Sequence, residues 1–447
     1  MGGRLRSRAA PGGVGLLAVA LPTATLLAVM VGLGVAGAPA AGAQPDGRTA
    51  LVSVDSQGRQ SPDGQNFAPD ISSDGRWVTF DSDADSFVAG DTNERTDIFV
   101  RDVRSGRTSR VSVSSKGGQA DDHSFTPSIS GDGRWVTFVS DATNLVPGDT
   151  NGDTDAFLHD RRTGRTVRLS VALDGRETEG GDSPAISANG RYVVYNVAKP
   201  LRSIGTDEDL DGTFVYDTRT GKRQRIPWIG GEDMTISGDG RLIAFSSETR
   251  DLVAKDTNRK YDCFVYDRKT RKMRLVSVDD KGRQGNGEST GPVISANGRF
   301  VAFASTASNL VRGDTNKVDD VFVRDLKTGR TTRASFTAKG RQTNGASGGP
   351  VLSADGRYLV YLSSADIVGL SGLNPTVFDV ILVDRRTSTV ARVNVAPGGA
   401  GADGPTTSFP AISGDGRHVA FGSRASNLVA GDTNGRDDVF VRTYAGN

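Results

Sequence analysis

The chain has 447 residues, with 54 Lys and Arg against 53 Asp and Glu, a formal charge of +1. A balance so even gives no sequence-level reason to seek nucleic acid or an anionic membrane surface. The single cysteine, Cys263, excludes an intramolecular disulfide, and 57 glycines suit a fold rich in tight turns.

In chain order the N-terminus comes first. Arg4, Arg6 and Arg8 precede an uncharged apolar run from Val14 to Val35, followed by the small residues of Ala38 to Ala43. Residues 1–43 read as a secretory signal with an Ala-x-Ala cleavage site after Ala43. An uncleaved membrane anchor is the alternative, because the run is long and contains Pro22. Either reading makes the remainder, 44–447, secreted or cell-envelope material that meets a membrane only through its N-terminal segment. Cleavage removes three arginines and no acid, which takes the formal charge to −2.

The rest of the chain repeats itself. An aliphatic residue, Ser, any residue, Asp or Asn, Gly and Arg recur at Ile71, Ile129, Ile186, Ile236, Ile294, Leu352 and Ile412. A period of this size marks a repeat architecture. Asp-Gly or Asn-Gly between two short apolar runs predicts a β-hairpin in each copy. A polar loop follows, then a third strand such as DIFVRD or DCFVYD, whose central residue lies 28 positions after the marker in six copies and 29 in the sixth. A Thr-Gly-Arg-like turn leads to a fourth strand, as in Arg110 to Val113 or Arg274 to Val278. Four short antiparallel strands per repeat make a propeller blade. The last repeat stops after its third strand, and Ala50 to Val54 looks like an unpaired fourth. The prediction is all-β: a monomeric seven-bladed β-propeller closed by its N-terminal strand, spanning 44–447 as one domain.

The repeat P-x-[IV]-S-x-[DN]-G-R-x-[VL]-x-[FY], followed by an FV[RY]D strand, resembles the TolB-type or WD40-like (PD40) β-propeller repeat over residues 50 to 444. The α/β domain that precedes the propeller in TolB is not expected here, so the resemblance does not imply a Tol–Pal role. The repeat is also similar to propellers attached to prolyl-oligopeptidase-type hydrolases, again without a hydrolase domain.

Few residues point to chemistry. His123, His159 and His418 fall at different repeat positions, so they predict no metal cluster of the kind that propeller lyases resembling this family use. Gly345 to Gly349 matches G-x-S-x-G but lacks the strand-turn-helix context of a nucleophile elbow. Trp77 and Trp135 read as packing between blades, and Cys263 as a buried small hydrophobe.

Five copies carry Asp-Thr-Asn-x-x-x-Asp between strands two and three: Asp91, Asn93 and Asp97; Asp149, Asn151 and Asp155; Asp256, Asn258 and Asp262; Asp314, Asn316 and Asp320; Asp432, Asn434 and Asp438. Each reads as an Asx-turn or, more sharply, as a weak calcium loop, since three hard oxygen donors lie within seven residues. No other cofactor is expected. The path from Asp217 to Ile236 takes 19 residues, against 26 to 28 elsewhere, and predicts a notch bordered by Trp228, Glu232 and Asp233. That notch is the expected entry for a partner. The expected function is a non-enzymatic binding or scaffold module for a protein, peptide or cell-envelope glycan. A carbohydrate-active hydrolase or lyase using channel carboxylates is the alternative. A purely structural envelope component is the third class.

Overall fold

The computed structural model describes residues 47–197, 212–226, 231–254, 256–367 and 378–445. Among them every regular element is a β-strand except one short 3-10 turn, Arg250–Leu252. The strands form seven four-stranded antiparallel sheets. In the first blade these run from innermost to outermost as Asn66–Ile71, Trp77–Ser82, Asp97–Asp102 and Arg107–Arg110. The seventh blade takes Ala411–Ile412, His418–Ser423 and Asp438–Tyr444 from the end of the chain and Gly47–Leu51 from its start. Pairing of that closing strand is unbroken from Gly47 opposite Tyr444 to Leu51 opposite Phe440. The closed ring is as predicted.

The outermost strands lie a turn earlier than the sequence suggests. Arg107–Arg110 and Lys272–Leu275 are the strands, whereas Val113 and Val278 bridge back to Gln119 and Gln284. The apolar Val-Ser-Val run looked like the strand because it is buried. It turns inward instead, where Ser112 donates to Asp97 while its Oγ accepts the Ile98 amide at 3.0 Å. The closing strand is shifted in the same way, to Gly47–Leu51 from the expected Ala50 to Val54.

The second and third strands lie between neighbouring blades, so both of their faces are buried and burial does not alternate along them. Phe80 stacks on Phe99 at 5.8 Å, and five other blades repeat an aromatic pair at 5.6–5.9 Å, such as Phe245 on Phe264. In the sixth blade Tyr361 lies opposite Ile381. Such pairs contribute about 0.5–1.5 kcal/mol each beyond the area that they bury.

The repeat marker is a local lock. Ser72 donates to Asp74 at 2.6 Å and accepts the Trp77 amide at 2.9 Å, while Asp74 accepts the Arg76 amide at 3.0 Å. Arg76 then forks onto Asp102 of the third strand at 3.1 and 2.8 Å. Six blades carry this pair; in the seventh Thr443 occupies the aspartate's register position. The marker glycine joins blades together. A Cβ on Gly133, at φ +70°, would lie 2.1 Å from the indole of Trp77 in the preceding blade. Arg161 covers that indole at 4.0 Å, so Trp77 is an inter-blade contact, as is Trp135 against Gly190.

Candidate functional site

The seven innermost strands surround a central cavity of about 210 Å³ whose wall is mostly Ile, Val, Ala, Leu and Gly. Asp70 is the one carboxylate in that wall. Its two oxygens accept the Ile71 and Ile129 amides, both at 2.8 Å, and burial raises its pKa. Asp81, buried in the next strand, accepts the Thr126 amide at 3.1 Å, and burial raises it to about 6. Both acids hold the main chain of the second blade, Asp81 within the bulge between Phe125 and Ser128 and Asp70 just beyond it. Thr126, at φ +52°, sits in that bulge.

The mouth of the channel lies on the face of the blade-to-blade connectors. There, six innermost strands present in register Phe67, Phe125, Asp182, Glu232, Thr290 and Gly348, and the seventh presents Phe409 one residue nearer its marker. Phe67 and Phe409 are exposed large hydrophobic side chains, at 37% and 47%, a rarity among the described residues. Ser408 accepts the Ala68 amide at 3.2 Å, so the strands bearing both rings are joined. The ring of Phe409 reaches over Gly349 of the sixth blade, where a Cβ would come within 2.4 Å of it. On the other side Asp182, Glu232, Asp233 and Glu288 are all exposed. Tyr261 donates to Glu232 at 3.4 Å, and Asp233 accepts from Ser246 at 3.1 Å. The rim segments 65–68, 123–126, 180–183, 231–234, 288–291, 346–349 and 407–410 contain no Lys or Arg. The mouth is therefore aromatic on blades seven, one and two, and acidic on blades three to five.

Glu232 and Asp233 thus belong to this rim, whereas Trp228 lies outside the described residues. The phenylalanines were missed in the sequence because the innermost strand was legible only as its last two residues. Their signal is a Phe three or four positions before the marker in the first, second and seventh copies.

The Asp-Thr-Asn loops stand farther out on the same face. Each Asn forms the expected Asx-turn, as Asn93 Oδ1 accepting the Arg95 amide at 3.1 Å. Its amide group donates across to the next connector, at 2.8 Å from Asn93 to Ala120 O. Between the first and last Asp sits a donor that the sequence reading overlooked. Gln119 reaches Asp91 and Asp97 at 2.7 and 3.3 Å, and Gln284 reaches Asp256 and Asp262 at 2.8 and 2.7 Å. Gln342 bridges Asp314 and Asp320, and Gln60 bridges Asp432 and Asp438. In the second blade Glu177 occupies this place, and Arg168 ties it to Asp149 and Asp155 at 3.0, 2.8 and 3.2 Å. The signal was a Gln or Glu 28 residues after the first Asp in four copies, the fifth being split across the chain ends. Burial still raises Asp91, Asp155, Asp262 and Asp438 to about 6. Among the described residues no group of three or more His, Cys, Asp or Glu side chains is arranged to hold a metal ion.

The histidines are dispersed. His159 is buried against Thr166 at 3.0 Å, with its pKa lowered to about 4, while His418 fills the aromatic knob position against Gly75. Ser347 of the G-x-S-x-G segment is buried and shares a hydrogen bond with Ser363 at 2.8 Å, as sibling serines do. Cys263 is fully buried.

Known structures align over most of the propeller. An oligogalacturonate lyase in complex with manganese matches at TM-score 0.52 and 14% identity, covering 90% of this chain and 97% of its own. The β-propeller domain of the Trilobed protease from Pyrococcus furiosus, described as having an open velcro topology, matches at 0.52 and 9%, covering 86% and 96%. The fold shared with these structures is a seven-bladed β-propeller. TolB from Acinetobacter baumannii aligns at 0.40 and 14%, covering 78% and 77%. Dipeptidyl-peptidase 5 of Porphyromonas gingivalis is 25% identical over 145 residues, 32% of this chain. The chain spans about a fifth of that curated relative. No family model matches. Unlike the open topology named for the archaeal domain, the propeller here is closed by Gly47–Leu51.

Proposed function

We propose that the chain is an exported, non-catalytic binding module whose channel mouth receives a cationic, partly apolar segment of a partner protein or peptide. One observation carries this reading: exposed Phe67 and Phe409 face Asp182, Glu232 and Asp233 across a rim without Lys or Arg. Apolar rings supply contact area, and unopposed carboxylates select a positive charge. Export rests on the N-terminal segment read from the sequence; among the described residues no helix is long and apolar enough to cross a membrane.

The alternative of a carboxylate-based glycosidase or lyase needs two acids converging on open space. Asp70 and Asp81 are the buried, raised pair nearest the channel, and both are spent on main-chain amides. The test is fluorescence anisotropy with labelled nonapeptides alternating Lys and Leu, or Glu and Leu. The Lys peptide is expected to bind and the Glu peptide not. Glu232→Lys with Asp233→Lys should weaken binding at least about tenfold, as should Phe67→Ala with Phe409→Ala. Equal binding of both peptides, or variants indistinguishable from the parent, would overturn the reading.

A further inference from the structure

The seven blades serve as controls for one another at the fifth residue of the third strand. In register these residues are Arg101, His159, Tyr216, Tyr266, Arg324, Val383 and Arg442. Arg101 reaches the tight turn of the preceding connector, donating to Asp55 O at 2.6 Å and Thr108 Oγ1 at 2.9 Å. Arg324 repeats this with Asp279 O and Thr331 Oγ1, both at 2.9 Å. In both blades the turn's leading residue is an aspartate that provides opposite charge. Where the strand residue is His159, Tyr216 or Val383, the turn begins with Ser114, Ala172 or Thr337 instead. The fourth blade's turn falls outside the described residues.

The seventh blade breaks this pairing. Arg442 is present, but its turn reads Ala396-Pro397-Gly398-Gly399, with no carboxylate. Arg442 is only 7% exposed, its Nε has no partner, and it forms no ion pair among the described residues. A buried charge without a counter-charge is costly. The small residues of the turn also leave a groove of about 1100 Å³ along the closing strand. Arg48, Arg59, Arg101 and Arg442 all line it and no acid among the described residues does, although Arg59 is paired with Asp55.

We propose that this groove is an anion site, in which a phosphate or carboxylate group from outside the chain supplies the charge that Asp55 and Asp279 supply at the sibling seams. A forked guanidinium suits either oxyanion, and the neighbouring arginines favour one of high charge. The test is calorimetric titration of the full chain with inorganic phosphate and, separately, acetate, at constant ionic strength in chloride. One saturable phosphate site is expected, with a dissociation constant on the order of 1 mM and acetate weaker. Tighter acetate would assign the carboxylate source instead. Ala396→Asp restores the sibling arrangement and should weaken phosphate at least about tenfold, as should Arg442→Gln. If Arg442→Gln fails to fold, Ala396→Asp carries the test. Parent protein without saturable binding, or Ala396→Asp binding as well as the parent, would overturn the proposal. So would binding seen only after Asp46→Asn, since the chain would then be filling its own groove.

Discussion

At the scale of single residues, glycine and aspartate do different work in the repeat marker. The glycine was legible as a turn residue, but the sequence hid that the same position receives the preceding blade's aromatic ring. Gly133→Ala must both hold φ at +70° and displace Trp77. It should cost roughly 1–3 kcal/mol in chemical denaturation, and Trp77→Ala in the same background should recover part of that. The aspartates fall into two groups. Asp155, Asp262 and Asp438 are raised by burial, so folding favours their protonated forms; their contribution is full below pH 3.8 and lost as pH rises through about 6. Asp102, Asp267 and Asp325 are held low chiefly by Arg76, Arg241 and Arg299, and their contribution is lost as pH falls below 3.8. Melting temperature should therefore peak near pH 4 and decline on both sides, as a calorimetric pH series would show. A maximum at pH 8 would contradict this assignment.

At the scale of the element, the connector and the Asp-Thr-Asn loop form one latch. The loop was legible because its three polar residues are close in sequence. Gln284 was not, since it meets Asp256 and Asp262 only after the chain has passed through two strands. The fourth and seventh blades have Leu275 and Leu51 where Arg110 stands in the first, so there the glutamine bridges the acids without an arginine. Gln284→Ala should cost about 1–3 kcal/mol by leaving two carboxylates unbridged. Calcium, proposed from the loop's oxygen donors, should then enter. Millimolar calcium is expected to raise the melting temperature of Gln284→Ala well above its value in chelator and to change the parent little. A variant that melts alike in both buffers would remove calcium from consideration. The innermost strands show the opposite limit. Their last two residues announce the repeat, but the bulge before them breaks the period-two pattern, so Phe67 and Phe409 could not be assigned a face from sequence.

At the scale of the molecule, closure depends on five residues at the chain's start. Leu51 packs into the core of the last blades, and Ser53 donates to Asp438 while accepting the Val439 amide at 3.0 Å. Removing residues 1–53 should expose the edge of Asp438–Tyr444 and lower the melting temperature by at least about 10 °C or cause aggregation. A truncated chain that melts like the parent and stays monomeric in light scattering would show that the ring holds without its closing strand. Seven copies of one signature made this architecture legible. What distinguishes the blades, including the divided rim and the seam where Arg442 meets no aspartate, is carried by single substitutions that acquire meaning only once the blades are superimposed.

The glycine sockets lend the ring a direction. Trp77 inserts over Gly133, Trp135 over Gly190, Tyr192 over Gly240, Leu242 over Gly298, Phe300 over Gly356, Tyr358 over Gly416 and His418 over Gly75. Each blade donates a knob forward and accepts one from behind, like gears that all turn one way. The molecule is thus cyclic in information as well as in shape: knob and socket do not record which blade came off the ribosome first. Relocating the chain's ends to another exposed connector, for instance between Lys339 and Gly340, would leave every knob in its socket and move only the place where two ends must find each other.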